Sequence, residues 1–505
     1  MPQHVIIHSV SIINDGIGDL VYFLNWLKLY KKHYKNSQDR IVISVLVTKA
    51  IFRLLFEIQE QDPQHPIFEF VTATYNVEQN SYGAQAKDSQ KCFINKIYSS
   101  PKPHDNDVNV FEHFFDIGET DYITIIYLSI RYNYALTPGH KNKFCNIVNI
   151  LEFDGVFFEK LKLDCYLGLG SNNLGMLTDV DGITGQEDID TFINGLSKAI
   201  KESIFQVKDI DLQQAAAYLL DTPSVFGYLH PLTNFYFLHA ILMSPFIQEA
   251  IKSGKVPLFF FTNVFQTNMF PSSVKKAIEN KQIRMVTMEW LNRKEYYAVN
   301  GLFLNKNTKS IIVPSGDNSL SMSIKAGKLP FYAHKLKCCD IEPYFIKCGI
   351  FSDMVDLMEL AMAQGDMLQD NGYNSCIALM KFLSKRYESI IQSEAISVKQ
   401  YYLQAGKYVT QEAIDYFHDH VAPYIMLNYS FENKSLQKIL LELEKHDTAA
   451  QQYDPELDNE CGASSCCKFI TRAWNSFSNS TNVNEGSQPL IRDTSNSTQA
   501  RSLMS

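Results

Sequence analysis

The chain has no apolar run approaching the roughly twenty residues that a bilayer-spanning helix needs, so no transmembrane segment is expected. It has no basic excess either. Lys and Arg number 46 against 55 Asp and Glu, a net charge of −9 with a pI near 5.8. Nucleic-acid binders usually carry a basic patch or a high pI, and no nucleic-acid partner is expected here. The ten cysteines form no CxxC…CxxC array, which removes the common zinc frameworks. Cys92, Cys145, Cys165, Cys338, Cys348 and Cys376 are scattered as buried thiols usually are, and the adjacent Cys338 and Cys339 are poorly placed to bridge. A reducing cytosol, of the producing cell or of another, is the expected setting. The opening MPQHVIIHSV lacks a basic n-region, so no signal peptide is expected.

With 505 residues, 46% hydrophobic and 20% charged, the composition is that of a globular chain with room for two or three domains. The most informative stretch is IIVPSGDNSLSMSIKAGKLPFY, residues 311-332. It reads as an apolar strand, a tight turn at Ser315-Gly316 and a helix opening at Asp317-Asn318-Ser319. Asp, Asn and Ser satisfy the free N–H groups of a helix's first turn, and Gly316 permits the turn. A helix N-terminus of this kind suits a phosphate or pyrophosphate. Ala326-Gly327-Lys328 closes the helix, and a second apolar strand is expected from Leu329 to Tyr332.

Residues 4-24, HVIIHSVSIINDGIGDLVYFL, repeat the pattern: a strand from Val5 to Ile13, then Asp15-Gly16-Ile17-Gly18-Asp19, then a helix. Leu20, Phe23, Leu24 and Leu27 recur at helical spacing. Lys28, Lys31 and Lys32 fall toward the helix's C-terminal end, where positive charge is favoured. The strand Ile41 to Val47 completes a βαβ unit. Two such corners, one at the start and one about three hundred residues later, predict two facing Rossmann-like halves in an α/β chain.

The expected organisation is residues 1-220 as an N-terminal Rossmann-like acceptor domain and 221-350 as a C-terminal Rossmann-like donor domain. A helical extension follows over 351-448, then a disordered tail over 449-505. Within the first half, residues 76-108 read as an insertion or long loop, and Tyr122 to Tyr127 as a strand. GLGSNNLG (168-175) reads as a tight turn. A helical pattern covers 187-220. In the second half, strands are expected at Val225 to His230, Val256 to Phe261, Ile283 to Thr287 and 311-313, alternating with helices as in a parallel sheet. The Ser- and Asn-rich 475-505 has little to bury.

These corners resemble those of GT-B glycosyltransferases, and among them the inverting protein-arginine rhamnosyltransferases. That family opens with a strand, D-N-x-G-D and a helix; Asp15-Gly16-Ile17-Gly18-Asp19 stands in that place here. Its G-E-D-S and A-G-K-P motifs correspond to Gly316-Asp317-Asn318-Ser319 and Ala326-Gly327-Lys328-Leu329-Pro330. Its Tyr-x-x-Pro corresponds to Tyr228-Leu229-His230-Pro231. The departures are Gly16 for Asn, Asp317 for Glu and Asn318 for the second acidic residue. The resemblance implies a nucleotide-sugar donor as substrate, an inverting transfer, no metal and no cofactor. It also implies Asp15 or Asp19 as acceptor-side base and the helix at Asp317 to Ser319 as diphosphate cradle. Gly16, Gly18, Tyr228, His230 and Gly316 join the binding set. The sugar, the base and the acceptor stay open, and a protein acceptor is among the options.

Each of these residues has a structural reading as well. Asp15, Asp19, Asp317 and Ser319 read equally as helix caps, and His230 as a turn histidine. His418-Asp419-His420 resembles a metal pair but lacks a third ligand in view. Asp179-Val180-Asp181 matches the short D-x-D of metal-dependent transferases of another architecture. Cys461, Cys466 and Cys467 precede a basic-aromatic stretch, Lys468 to Trp474, and suit either S-acylation with peripheral membrane contact or a plain linker. A cytoplasmic enzyme and a bacterial effector delivered into host cells both fit the polar C-terminus. A non-catalytic GT-B-like binding protein and a sugar-nucleotide epimerase-type enzyme are the alternatives to a transferase.

Overall fold

An apolar strand that must be buried on both faces finds that environment in a parallel sheet covered by helices. The computed structural model has two such sheets. It describes residues 4–12, 18–33, 40–69, 71–86, 92–98, 122–127, 145–151, 165–166, 168–169, 175–177, 188–229, 235–262, 267–288, 291–314, 316–333, 343–385 and 397–430.

The first sheet begins with β1 (His4–Ile12), followed by α1 (Gly18–His33), β2 (Arg40–Thr48) and α2 (Lys49–Gln61). A hairpin of β3 (Val71–Asn76) and β4 (Ser81–Ala86) comes next, then β5 (Cys92–Tyr98), β6 (Tyr122–Tyr127), β7 (Cys145–Leu151) and the short β8 (Cys165–Tyr166). The strand order is β5-β2-β1-β6-β7-β8, and every pairing is parallel. Leu20, Phe23, Leu24 and Leu27 are buried along one face of α1, as their spacing requires. The lysines of its last turns serve as tethers: Lys28 Nζ donates to Asp62 at 2.9 Å, and Lys31 pairs with Glu69.

The long loop expected over 76-108 is in part a hairpin. Tyr75 and Tyr82 face each other across β3 and β4 with ring centroids 4.7 Å apart, and Phe56 of α2 packs on both. Cross-strand aromatic pairs of this kind stabilise a hairpin, and Val71 and Ala73 of β3 are buried beside them. Of GLGSNNLG the structure describes the two ends, which pair in an antiparallel bridge with Gly168 N–H donating to Gly175 C=O at 2.9 Å; residues 170-174 lie outside the described residues.

The helical pattern over 187-220 is divided into α3 (Ile189–Gly195), α4 (Lys198–Phe205) and α5 (Leu212–Asp221). Asp188 and Asp211 cap the first and third by accepting backbone N–H groups, while Ser197 precedes the second without a side-chain cap bond.

The second sheet then runs β9 (Ser224–Gly227), α6 (Tyr236–Leu242), α7 (Pro245–Lys252), β10 (Leu258–Phe261), α8 (Ser272–Glu279), β11 (Arg284–Thr287), α9 (Arg293–Leu304), β12 (Ser310–Val313) and α10 (Asp317–Lys325). Its order is β11-β10-β9-β12, again all parallel. Every residue of β9, β10 and β12 is buried. On one face Phe226 stacks on Phe303 of α9 with centroids 4.8 Å apart.

The strand expected at Leu329 to Tyr332 is reduced to one parallel bridge between Pro330 and Ile312. Ile312 N–H donates to Leu329 C=O at 3.2 Å, and Phe331 N–H to Ile312 C=O at 2.8 Å. The residues flanking Pro330 make both bonds, and the next donor in phase on the β12 side would be Pro314, which has no N–H.

The helices α11 (Pro343–Gln364), α12 (Asn371–Leu383), α13 (Val398–Gly406), α14 (Gln411–Tyr416) and α15 (Ala422–Tyr429) follow, with a π-helical turn over Phe417–Val421. They share a continuous apolar core with β9, β10 and β12, in which Phe331, Tyr401 and Tyr402 are fully buried. All described residues belong to one compact unit, 1–336 with 343–453. The tail over 449-505, with Cys461, Cys466 and Cys467, lies outside the described residues, as do 431-448 of the helical extension and Asp179-Val180-Asp181. No described helix is long and apolar enough to cross a membrane.

Candidate functional site

In an open parallel sheet, ligands bind beyond the carboxyl ends of the strands at the point where the strand order reverses. The strand orders locate both points. From β1 the chain moves outward through β2 and then starts again on the other flank with β6, so the first reversal lies at β1 and β6. From β9 it moves through β10 to β11 and restarts with β12, so the second lies at β9 and β12. The helices that follow β1 and β12, α1 from Gly18 and α10 from Asp317, therefore each belong to a reversal. These two helices pack against each other.

At the second corner Gly316 precedes α10 in an extended conformation, φ −128° and ψ 164°. Leu320 N–H is the first to bond back, to Gly316 C=O at 3.1 Å, so the N–H groups of Asp317, Asn318 and Ser319 precede the intrahelical ladder. The Ser319 hydroxyl is turned back on the cap: it accepts from Gly316 N–H at 3.2 Å and donates to Gly316 C=O at 2.8 Å. Its proton is thereby committed within the turn. What the corner offers an anion is backbone N–H groups at a helix start, not this hydroxyl.

The far end of α10 is held firmly. Gly327 N–H donates to Ile324 C=O at 2.9 Å and Lys328 N–H to Ser323 C=O at 2.8 Å, the paired bonds of a Schellman turn. Gly327 has φ +71°, and a Cβ there would meet the His418 ring. His418 Nδ1 lies 3.2 Å from Gly327 C=O, so the π-helical turn clamps the end of α10. His420 stacks on Tyr416 with centroids 4.8 Å apart. Among the described residues no group of three or more His, Cys, Asp and Glu is placed to hold a metal ion.

Lys328 points inward and is 3% exposed. Its Nζ donates to Thr308 C=O at 2.6 Å, with the Thr308 hydroxyl at 3.4 Å, tying the end of α10 to the loop before β12. Burial brings its pKa down to about 7.

Two residues that the sequence did not single out lie at the same edge of the sheet. Gly227 ends β9 where it meets Val313, the last residue of β12. A Cβ on Gly227 would collide with the Val313 carbonyl oxygen, so glycine is what lets the strand ends close at the reversal. Thr262 follows β10 directly and donates its N–H to Gly227 C=O at 3.1 Å. Its hydroxyl is buried with no hydrogen-bond partner. A glycine closing an apolar strand and a threonine after a run of phenylalanines were the available signals, too common to act on alone.

Of the residues expected at the site, Gly18 begins α1 and Gly316 and Ser319 form the α10 cap. Tyr228 follows β9 with its side chain 46% exposed. Asp19, Asp317 and Asn318 are placed in their helices, and their side chains lie outside what the structure describes. Asp15, Gly16 and His230 lie outside the described residues.

No protein-family model matches this chain, and no curated protein matches it. Similar solved structures include the catalytic domain of starch synthase IV from Arabidopsis thaliana bound to ADP and acarbose, at 9% identity and TM-score 0.34, covering 90% of this chain and 100% of that one. S. aureus MnaA with UDP is similar at 9% identity and TM-score 0.34, covering 87% and 97%. A UGT transferase from Siraitia grosvenorii in complex with UDP is similar at 10% identity and TM-score 0.33, covering 88% and 99%. Similarity of this size assigns neither a family nor a site residue.

Proposed function

We propose that the chain is a GT-B-type glycosyltransferase that moves a sugar from a nucleotide-sugar donor to an acceptor, with inversion and without a metal ion. The observation that carries this reading is the pairing of two strand-to-helix corners, each at the reversal of its own parallel sheet, through contact between α1 and α10. Residues 1-220 then form the acceptor half, 221-350 the donor half and 351-448 the helical extension.

The division of labour follows from what each corner carries. The corner after β1 has two carboxylates in its sequence, Asp15 and Asp19, against one, Asp317, at the start of α10. Asp15 or Asp19 takes the proton of the acceptor nucleophile as the new bond forms at the sugar's anomeric carbon. The α10 corner presents its first-turn N–H groups and the positive end of the helix dipole to the departing diphosphate, stabilising charge where it develops. Tyr228, at the end of β9, offers an exposed ring beside that corner.

Thermal-shift titration of the full chain with UDP, GDP, dTDP, CMP and their sugar conjugates tests the reading. A rise in melting temperature with one nucleotide family, followed by consumption of its sugar conjugate and an acceptor product of inverted configuration, is the expected result. No shift with any of them removes the donor site and with it the transferase.

A further inference from the structure

Resting on the donor-site reading above, we infer that the Thr262 hydroxyl is a specificity-determining contact for the nucleoside part of the donor, which runs from the α10 corner across the end of β9 toward β10. A buried hydroxyl left without a partner is uncommon in a folded protein, and each one calls for a cause, of which a group bound in function is one. Thr262 carries such a hydroxyl at the carboxyl edge of the second sheet. Its backbone is fixed by the bond to Gly227, so the side chain is held in register with the reversal point.

The spacing fits a nucleoside and not the diphosphate. Strand order places β9 between β12 and β10. Two strand spacings are about 10 Å, so Thr262 stands well beyond the reach of phosphates held at the α10 N-terminus. That is the interval between a diphosphate and its nucleoside. The exposed Tyr228 ring lies on the strand between them and supplies a face on which a base can stack. A threonine hydroxyl both donates and accepts, which matches ribose hydroxyls and base edges, whereas phosphate oxygens only accept. The competing reading is that Thr262 merely packs behind β10, a β-branched residue whose hydroxyl does nothing.

Full-length Thr262→Val and Thr262→Ser variants separate the two by thermal shift and calorimetric titration, with the nucleoside diphosphate that wild type binds and with inorganic pyrophosphate. Valine keeps the shape and removes the orphaned polar atom. The expected result is a ligand-free melting temperature at or above wild type, nucleoside diphosphate affinity about tenfold weaker, unchanged pyrophosphate affinity, and rescue by serine. Wild-type affinity for the nucleoside diphosphate in Thr262→Val overturns the inference while leaving the donor site intact. Equal weakening toward pyrophosphate overturns the assignment to the nucleoside. Absence of nucleotide binding by the wild-type chain overturns the transferase reading itself, and this contact falls with it.

Discussion

The first sheet has six strands and reverses at β1 and β6; the second has four and reverses at β9 and β12. Each reversal leads into a helix, yet the two corners are chemically unlike. The first is written with two carboxylates, Asp15 and Asp19, within five residues. The second is written with one, Asp317, whose side chain lies outside the described residues, beside backbone N–H groups ahead of Leu320, a Ser319 hydroxyl folded onto its own cap and the unpartnered Thr262 hydroxyl. The same supersecondary unit thus supports different tasks. A pair of carboxylates suits proton removal, and a helix start, with its first-turn N–H groups and dipole, suits an anion. At the second corner the helix is clamped by His418 and Lys328 and the strand ends are closed by Gly227.

The division is tested first where the effect is largest. Asp15→Asn and Asp19→Asn together are expected to lower the transfer rate more than about a hundredfold, while nucleotide affinity by calorimetry stays at the wild-type value. Loss of nucleotide binding in that variant would move the donor to the first corner and break the comparison. Gly227→Ala is expected to cost about 1–3 kcal/mol in urea denaturation, because the new Cβ meets the Val313 carbonyl. Gly254→Ala, at a glycine of φ +79° with nothing near its added Cβ, is the control for strain alone.

Lys328 gives a pH signature to the second corner. The unfolded chain holds this proton up to the usual lysine value of 10.5, and the folded chain releases it near 7. Between those values the unfolded state binds more protons, so this group's contribution to stability rises with pH through the window and its penalty is complete below 7. Lys328→Met is expected to flatten that rise in denaturant midpoints and to stabilise the protein at pH 7, less the bond lost to Thr308. A slope unchanged by the substitution would mean that the ammonium stays hydrated. The smallest effect is expected for Ser319→Ala: about 1 kcal/mol of stability from the lost cap bonds, with nucleotide affinity near wild type because the hydroxyl already serves Gly316.

Much of the fold is legible from local pattern. Tyr122–Tyr127 is a strand with the bounds its apolar run predicts, and α10 begins at Asp317, where a helix opening is expected. Departures occur where a neighbour distant in sequence intervenes. Part of the expected 76-108 loop pairs back on β3 as a hairpin, with Phe56 packed on its tyrosine pair, and Leu329 to Tyr332 stops at one bridge because the strand it meets runs into Pro314, which cannot donate. At the site, the glycine turns and the caps were visible as residue types. The engagement of Ser319 with its own cap, the inward turn of Lys328 and the orphaned Thr262 were not.

The difference has a physical cause. Apolar periodicity, glycine turns and capping residues act over one or two helical turns or a single strand, and they were enough to set two βαβ corners in an α/β chain. Strand order is a matter of distant pairing: β9 joins β12 through Ser224 and Lys309, 85 residues apart. Only that pairing makes each corner a reversal point, presses Gly227 against Val313, and takes water away from the Lys328 amine and the Thr262 hydroxyl. Burial is a property of the assembled sheet and its covering helices, and no short window of sequence carries it.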